Sequence, residues 1–383
     1  MPENARVTIF PLTANLSPRR VNARLSHTAA RMDRGPHKLG PSAIRRGTTD
    51  PGARSGVVDL IAARILRGDR MSTKSSTPLP ALPCPLCHTP MAVRPTPPGG
   101  VPTVTTLADC LRQCVSCGVA YSNARSNPTL LHRDPIANVP AQVRIGAREA
   151  LAVALNERNR PNKLSKFGYS TSEDAVTWTV FAYLHGQHRT ALAGLYERAF
   201  GIQATAPPAM LLWGVPVPAG QAETALAANL ERVLDGLGEA RNSRSEPDVV
   251  LDFGPAGVVF IEVKYRSGNS GTSADSKFDR YVDDSAAFTD PAGVTASGLY
   301  ELARNWRIAH DLAGGRPFTV VNLAKSRTLA STKGLAAFHS GLATSSTQRF
   351  LPVSWGDFLA AARQTTGAFP AWLDDYCAER RLR

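Results

Sequence analysis

The sequence contains no run of eighteen or more apolar residues, so it predicts no membrane-spanning helix. Its first residues also lack the compact apolar stretch and small-residue cleavage site of a secretory signal. Hydrophobic residues make up 43% of the 383 residues and charged residues 20%, a balance typical of a globular chain with a substantial core. We therefore expect a cytoplasmic protein with no membrane partner.

Cysteine is also scarce, with six residues in the whole chain, which is too few for a disulfide scaffold of this length. Five of the six lie between positions 84 and 117. Such clustering favours a bound metal over oxidation.

Acidic residues are the minority charge, and the excess of basic residues is unevenly distributed. Residues 1–71 hold 13 Lys/Arg against 5 Asp/Glu, so they account for +8 of the net charge of +13. Their Arg, Pro, Gly, Ser and Thr content is typical of disorder. Three alternatives stay open for this stretch: a tail that binds phosphate backbones, a solvated tail, or an upstream segment preceding a start at Met71.

The composition divides the chain into three regions. We predict a disordered basic tail over residues 1–80, a cysteine-rich unit over 81–125, and an α/β or α+β domain over 141–383. Hydrophobic periodicity in the last region predicts helices over 171–200, 222–237, 299–313 and 355–362, and strands over 210–217, 248–253, 258–265, 318–323 and 350–353.

Two predicted strands, 248–253 and 258–265, carry the residues on which a catalytic hypothesis depends. Because strand side chains alternate between faces, Glu262 and Lys264 share one face of an otherwise apolar strand. A carboxylate and an ammonium in that position are costly unless they are paired or bound to metal. Asp248 begins the partner strand, and two carboxylates suit Mg²⁺. The simpler alternative is a strand-capping aspartate with a surface Glu262–Lys264 ion pair.

The length of the loop decides whether these side chains converge. With a four-residue loop, Asp248 pairs with Val263 and points away from Glu262. Convergence requires a three- or five-residue loop, or a β-bulge near Asp248. We predict such an irregularity.

The pattern Pro247-Asp248 followed by Glu262-Val263-Lys264 on two strands resembles the PD-(D/E)xK, or restriction endonuclease-like, nuclease superfamily. The resemblance covers roughly residues 165–330. It implies an αβββαβ core with a mixed central sheet in a nuclease-like domain over 141–383. It also implies Mg²⁺- or Mn²⁺-dependent hydrolysis of phosphodiester bonds, in which Lys264 orients or deprotonates the attacking water.

The same resemblance assigns a role to a helix glutamate before the strands. Glu173 occupies the matching place, which makes it a candidate catalytic and Mg²⁺-binding residue beside Asp248 and Glu262. The alternative is a capping box, in which Ser170 is the N-cap and Glu173 bonds its amide. On the helix after the strands, Arg304 is a candidate phosphate contact or a solvated arginine.

The cysteine-rich unit contains two Cys-x-x-Cys pairs, Cys84/Cys87 and Cys114/Cys117, which predict a tetrahedral structural Zn²⁺ site. The unit resembles a zinc ribbon, with Gly118 allowing a tight turn. His88 and Cys110 are spare ligand candidates, although Cys110 also suits a small buried position. A redox role for the pairs is the alternative.

These patterns together predict a metal-dependent DNA endonuclease, a hydrolase of phosphodiester bonds, of the kind that serves restriction, phage defence or repair. The zinc ribbon would help to hold DNA or a partner protein, and a homodimer remains open. The alternative is a non-catalytic nucleic-acid-binding or adaptor protein that keeps the nuclease fold and the ribbon.

Overall fold

A computed structural model describes residues 78–158, 163–217, 220–241, 244–269, 275–283 and 285–382. The predicted basic tail lies almost wholly outside these residues. The described residues belong to one of the two compact units of the chain, Ser75–Arg383. They form a mixed α/β structure with two sheets.

The first sheet is small, antiparallel and built around the cysteine-rich unit. Its strands follow each other in order: β1 (Ala92–Val93), β2 (Arg112–Cys114), β3 (Val119–Tyr121) and β4 (Leu130–His132). β4 extends this sheet beyond the predicted limit of residue 125, because Asn127 takes a positive φ of 49° in the turn that returns the chain. Hydrogen bonds between Leu130 and Ser170 join β4 to the segment before the next long helix.

The α/β part of the described residues begins with α-helices. They are α1 (Ala147–Arg158), α2 (Lys163–Phe167), α3 (Glu173–Gln187), α4 (Leu192–Phe200) and, after the first strands of the second sheet, α5 (Gln221–Gly236). The predicted single helix over 171–200 is wrong. His188 leaves the helical conformation at φ −127° and ψ 30°, where its ring bonds the Tyr183 hydroxyl at 2.9 Å.

The second sheet has six strands in the order β10-β9-β8-β7-β5-β6. In chain order these are β5 (Ala209–Leu212), β6 (Val215–Pro216), β7 (Val249–Asp252), β8 (Val258–Val263), β9 (Phe318–Ala324) and β10 (Gln348–Ser354). The pairs β6–β5, β5–β7 and β7–β8 are antiparallel, whereas β8–β9 and β9–β10 are parallel.

The single strand predicted over 210–217 is a tight hairpin, β5–β6. Trp213 and Gly214 form its turn with φ of 56° and 77°. Two successive positive φ values are typical of a type I′ turn, which glycine or asparagine usually signals. Because Trp213 occupies the first turn position in place of glycine or asparagine, the sequence pattern did not predict this turn.

In the described residues after β8, the α-helices are α6 (Asp275–Val282), α7 (Pro291–Ala296), α8 (Tyr300–Ala313), α9 (Ser326–Ser331), α10 (Leu335–Ser340), α11 (Trp355–Thr366) and α12 (Ala371–Glu379). One face of the sheet packs against a core with α3, α4, α11 and α12. The opposite face packs against α5, α6 and α8. Alternate residues of β8 serve the two cores, which explains its unbroken apolar run.

Candidate active site

The β7–β8 hairpin sets two acidic residues opposite each other. Val249 pairs with Ile261, and Asp252 pairs with Val258, so the loop contains the five residues 253–257. Continued by one position, this register places Asp248 opposite Glu262. The predicted irregular loop is therefore confirmed, and of the predicted options it is the five-residue one.

Asp248 is half-buried and is held against the neighbouring strand. Its Oδ2 accepts a hydrogen bond of 2.8 Å from the backbone N–H of Val263. Burial, followed by the nearby Glu262 carboxylate, raises the pKa of Asp248 well above its usual range, although the Lys264 ammonium opposes the shift. Positive charge placed near these two adjacent carboxylates would therefore stabilise their ionised forms.

Glu262 is 3% exposed and points to the same face of the sheet as α8. Its Oε1 lies 2.7 Å from Lys264 Nζ, and its Oε2 accepts a 2.6 Å hydrogen bond from Asn305 Nδ2. Burial acts to raise the pKa of Glu262, but the Lys264 ammonium and the guanidinium of Arg304 outweigh it and hold that pKa below its usual value. The ionised form of Glu262 is therefore favoured by these neighbours.

Lys264 is bound by two carboxylates at once. Besides Glu262, its Nζ lies 2.6 Å from Glu301 Oε2, which comes from the first turn of α8. Burial lowers the pKa of Lys264, but these two carboxylates more than reverse the effect, so the ammonium form is favoured. This ammonium shared by two carboxylates is unlike the exposed ion pair of the simpler sequence interpretation, because the Lys264 side chain is only 6% exposed.

The α8 helix supplies contacts that the sequence interpretation missed. Glu301 and Asn305 are four residues apart and contact Lys264 and Glu262, respectively. Their signal is a pair of polar residues at helical spacing on an apolar face. Arg304 lines the same cavity, and its guanidinium carbon lies 5.8 Å from the centre of the Tyr300 ring.

Glu173 connects α3 to the segment after β8. Its Oε1 accepts hydrogen bonds of 2.7 Å from both the Tyr265 N–H and the Ser267 hydroxyl. The alternative interpretation, a capping box with Ser170, is wrong, because Ser172 is the N-cap and accepts from the Ala175 N–H. Glu173 lines the cavity beside Asp248 and Glu262.

The described residues contain one compact group of three or more ligand-bearing His, Cys, Asp or Glu side chains, and it is formed by four cysteines. The structure thus does not draw the Glu173 carboxylate into a three-membered cluster with Asp248 and Glu262. Its predicted role at a metal stays a prediction.

A second lysine with a largely buried side chain, Lys163, lies near Asp248. Lys163 Nζ is 3.0 Å from Asp174 and 3.1 Å from Glu246, and it lies 4.9 Å from the centre of the Trp213 ring. Burial lowers the pKa of Lys163, but the two carboxylates give a net increase. Nothing in its local sequence distinguishes Lys163 from a surface lysine, so no sequence signal identifies it as a residue of this site.

Asp248, Glu262 and Lys264 line a cavity of about 640 Å³. It is lined by six acidic and four basic residues, with four polar residues between them: Glu173, Asp174, Glu246, Asp248, Glu262 and Glu301; Lys166, Lys264, Arg266 and Arg304; and Tyr169, Thr171, Ser172 and Ser267. Such a site can hold a cation at its acidic centre and contact an anion at its basic margin.

The four predicted cysteine ligands converge in the small sheet. The sulfur atoms of Cys84, Cys87, Cys114 and Cys117 all lie within 4.8 Å of one another, so the cluster could hold a metal ion. A structural zinc is the ion that four thiolates most commonly bind.

Both pairs use the same turn. The N–H of His88 bonds Cys84 O at 2.9 Å, and the N–H of Gly118 bonds Cys114 O at 3.0 Å. Gly118 has a φ of 64°, as its predicted turn role requires, and His88 takes the matching φ of 59°. His88 is therefore a turn residue outside the cysteine cluster. Cys110 is buried in a separate apolar group, as its alternative interpretation expected.

No family model matches this chain, and neither a curated protein nor a solved structure matches it. In the part of the chain that the structure describes, no helix is both long and apolar enough to cross a membrane.

Proposed function

We propose that this protein is a Mg²⁺-dependent endonuclease of the PD-(D/E)xK type that hydrolyses phosphodiester bonds in DNA. The observation that carries the proposal is the convergence of Asp248, Glu262 and Lys264 on one face of the β7–β8 hairpin, within a charged cavity. A capping aspartate and a surface ion pair would not require this burial.

The arrangement of the second sheet supports the proposal. The chain passes from α3 through the antiparallel strands β5, β7 and β8, then through α8 to β9, which lies parallel to β8. This is the order that the αβββαβ core of the superfamily implies. The insertion of β6 and α5 between β5 and β7 leaves the order of these strands unchanged.

Asp248 and Glu262 would hold the divalent cation, with Glu173 as a further ligand directly or through water. The chemistry of this donor set fits, because two adjacent carboxylates on one face of the β7–β8 hairpin offer the oxygen donors that Mg²⁺ prefers. When bound, such an ion lowers the pKa of a coordinated water and neutralises charge on the phosphate.

The chain's own groups have distinct tasks in this proposal. Lys264, held as an ammonium between Glu262 and Glu301, places positive charge beside the scissile phosphate and orients water. Asn305 fixes the Glu262 carboxylate through its 2.6 Å hydrogen bond. Arg304, at the cavity wall, is placed to contact a substrate phosphate.

The cysteine cluster would bind zinc and act as a structural unit. Four thiolates complete a tetrahedral shell and leave no open position for substrate. Its proposed task is to help hold DNA, a partner protein or a second copy of the chain beside the nuclease domain.

The test is cleavage of supercoiled plasmid and single-stranded DNA by the full chain with Mg²⁺ or Mn²⁺. We expect cleavage by the wild type, a loss of at least a hundredfold in Asp248→Asn and Lys264→Met, and normal activity in Asp375→Asn, an exposed carboxylate on α12. A wild type that binds DNA without cutting it would favour the non-catalytic alternative. Unchanged activity in both site variants would also contradict the proposal.

A further inference from the structure

Two cations outside the acidic centre converge on one aromatic ring. Tyr265 directly follows Lys264 in the chain, and its ring is buried. Lys325 Nζ lies 4.3 Å from the centre of this ring, and the guanidinium carbon of Arg266 lies 5.7 Å from it. The ring thus brings together a residue that follows β8 and a residue that follows β9.

Lys325 is held in place by the end of the chain's last helix. Its Nζ donates a 2.8 Å hydrogen bond to the backbone carbonyl of Arg380, directly after α12. The side chain is half-buried. Burial, then the charges of Arg266 and Arg381, lowers the pKa of Lys325 to about 8.

Arg381 adds the third charge from an unusual backbone conformation. Its φ is 51°, in the left-handed region that glycine or asparagine usually fills after a helix. The next residue, Leu382, is buried and donates its N–H to Cys377 O at 3.0 Å, which fixes this conformation. The arginine side chain is left exposed.

These three cations have no acidic partner among the described residues. The ion pairs formed there by Arg380 and Arg363 involve Glu379 and Asp374, and none includes Arg266, Lys325 or Arg381. Like charges placed together repel, and an anion that binds between them relieves the repulsion.

The cluster also adjoins the proposed active site. Arg266 lines the cavity that contains Asp248 and Glu262. An anion bound at Lys325 and Arg381 would therefore continue past Arg266 toward the acidic centre. A polynucleotide, with a phosphate at every nucleotide, is the anion whose charge repeats along such a path.

We propose that Arg266, Lys325 and Arg381 form a binding site for backbone phosphates of a DNA strand that enters the cavity. That the bound strand is the one cleaved in the cavity rests on the proposed nuclease function. Phosphate binding by Arg266, Lys325 and Arg381 does not depend on that function. The contacts position the strand and carry no sequence information.

The test measures binding without cleavage. Fluorescence anisotropy of a labelled single-stranded DNA and of the corresponding duplex is followed with the full chain, without added divalent ions, from 50 to about 300 mM salt. The Lys325→Gln/Arg381→Gln double variant should bind at least tenfold more weakly at low salt, and its salt slope should fall by about two, one for each lost phosphate contact. Arg327→Gln, an exposed arginine on α9, is the matched control and should bind like the wild type.

Lys325→Arg separates charge from packing, because it keeps the cation and should retain most of the affinity. Equal affinity and salt slope in the wild type and the double variant would overturn the inference, as would a wild type that binds no DNA. If the wild type cleaves DNA but the double variant binds DNA as well as the wild type does, the proposed nuclease function is supported and only this phosphate site is refuted. Salt-dependent binding that the double variant loses, without cleavage, would support this site and refute the nuclease.

Discussion

Replacing Lys264 with methionine would remove the cation that Glu262 and Glu301 share while keeping a side chain of similar length. The Glu262 side chain is 4% exposed, so it would stay buried with only the Asn305 hydrogen bond and the charge of Arg304 to stabilise it. Glu301, which is 36% exposed, can turn toward water. Breaking a buried pair on one side typically costs about 3–5 kcal/mol. Because one of the two carboxylates can be resolvated, we expect a loss of about 3 kcal/mol in the free energy of unfolding.

Urea unfolding of the full chain near pH 7.5, without added divalent ions, measures this loss. Chelators are omitted because they would also remove metal from the cysteine cluster. Lys166→Met is the matched control, since Lys166 lines the same cavity but is exposed, and it should change stability by no more than about 0.5 kcal/mol.

Titration with Mg²⁺ or Mn²⁺ extends the experiment to the proposed metal site. An ion that binds the folded protein should raise its stability by about 2.7 kcal/mol at a hundred times its Kd. A Lys264→Met variant as stable as the wild type would refute the idea that the ammonium balances the buried carboxylates. No stabilisation of either protein by the ions would refute Asp248 and Glu262 as a cation site.

Three other predictions concern the rest of the molecule. Cys84→Ser should lose stoichiometric zinc in elemental analysis, whereas Cys110→Ser should keep it; a zinc-free wild type would contradict the site. Gly257→Ala should lower the urea midpoint strongly, because a Cβ there would overlap the carbonyl oxygen of the residue before β9. In the control Gly254→Ala, the new Cβ meets open space, so the variant should lose only about 1 kcal/mol of stability. Equal losses of stability in the two variants would contradict this prediction. Burial, then a nearby arginine, lowers the pKa of His185 to about 3, so the folded state resists protonation of this ring. The free energy of unfolding should therefore fall by about 1.4 kcal/mol per pH unit as the pH drops from about 6 toward 3. In His185→Gln, this contribution to the pH dependence of stability should be absent.

The hairpin could be predicted from the sequence because its signals are local. The apolar strands on either side of the Gly-Pro-Ala-Gly segment mark the elements, and side-chain alternation limits the loop lengths that bring Asp248 and Glu262 together. Choosing among those lengths required the observed register. Gly254 and Gly257, with φ of 62° and 113°, supply the backbone conformations of the five-residue loop.

The remaining contacts of the site depend on tertiary packing. Glu301 and Asn305 reach Lys264 and Glu262 only because α8 packs across the sheet, a geometry that local periodicity does not specify. Glu173 shows the same limit: its position at the start of α3 was predicted, but the segment after β8 that its carboxylate bonds is 92 residues away in the chain. The break at His188 was missed because neither proline nor a strong turn sequence marks it.

The five-residue loop between β7 and β8 also restricts how this protein can change in evolution. Because side chains alternate with a period of two, inserting or deleting one residue between Asp248 and Glu262 would turn one carboxylate into the opposite core. Changes of two residues would preserve the alternation. Among homologues of this chain that keep the site, the separation of the two acids should therefore vary in even steps, and an odd step should be accompanied by a bulge in one of the strands.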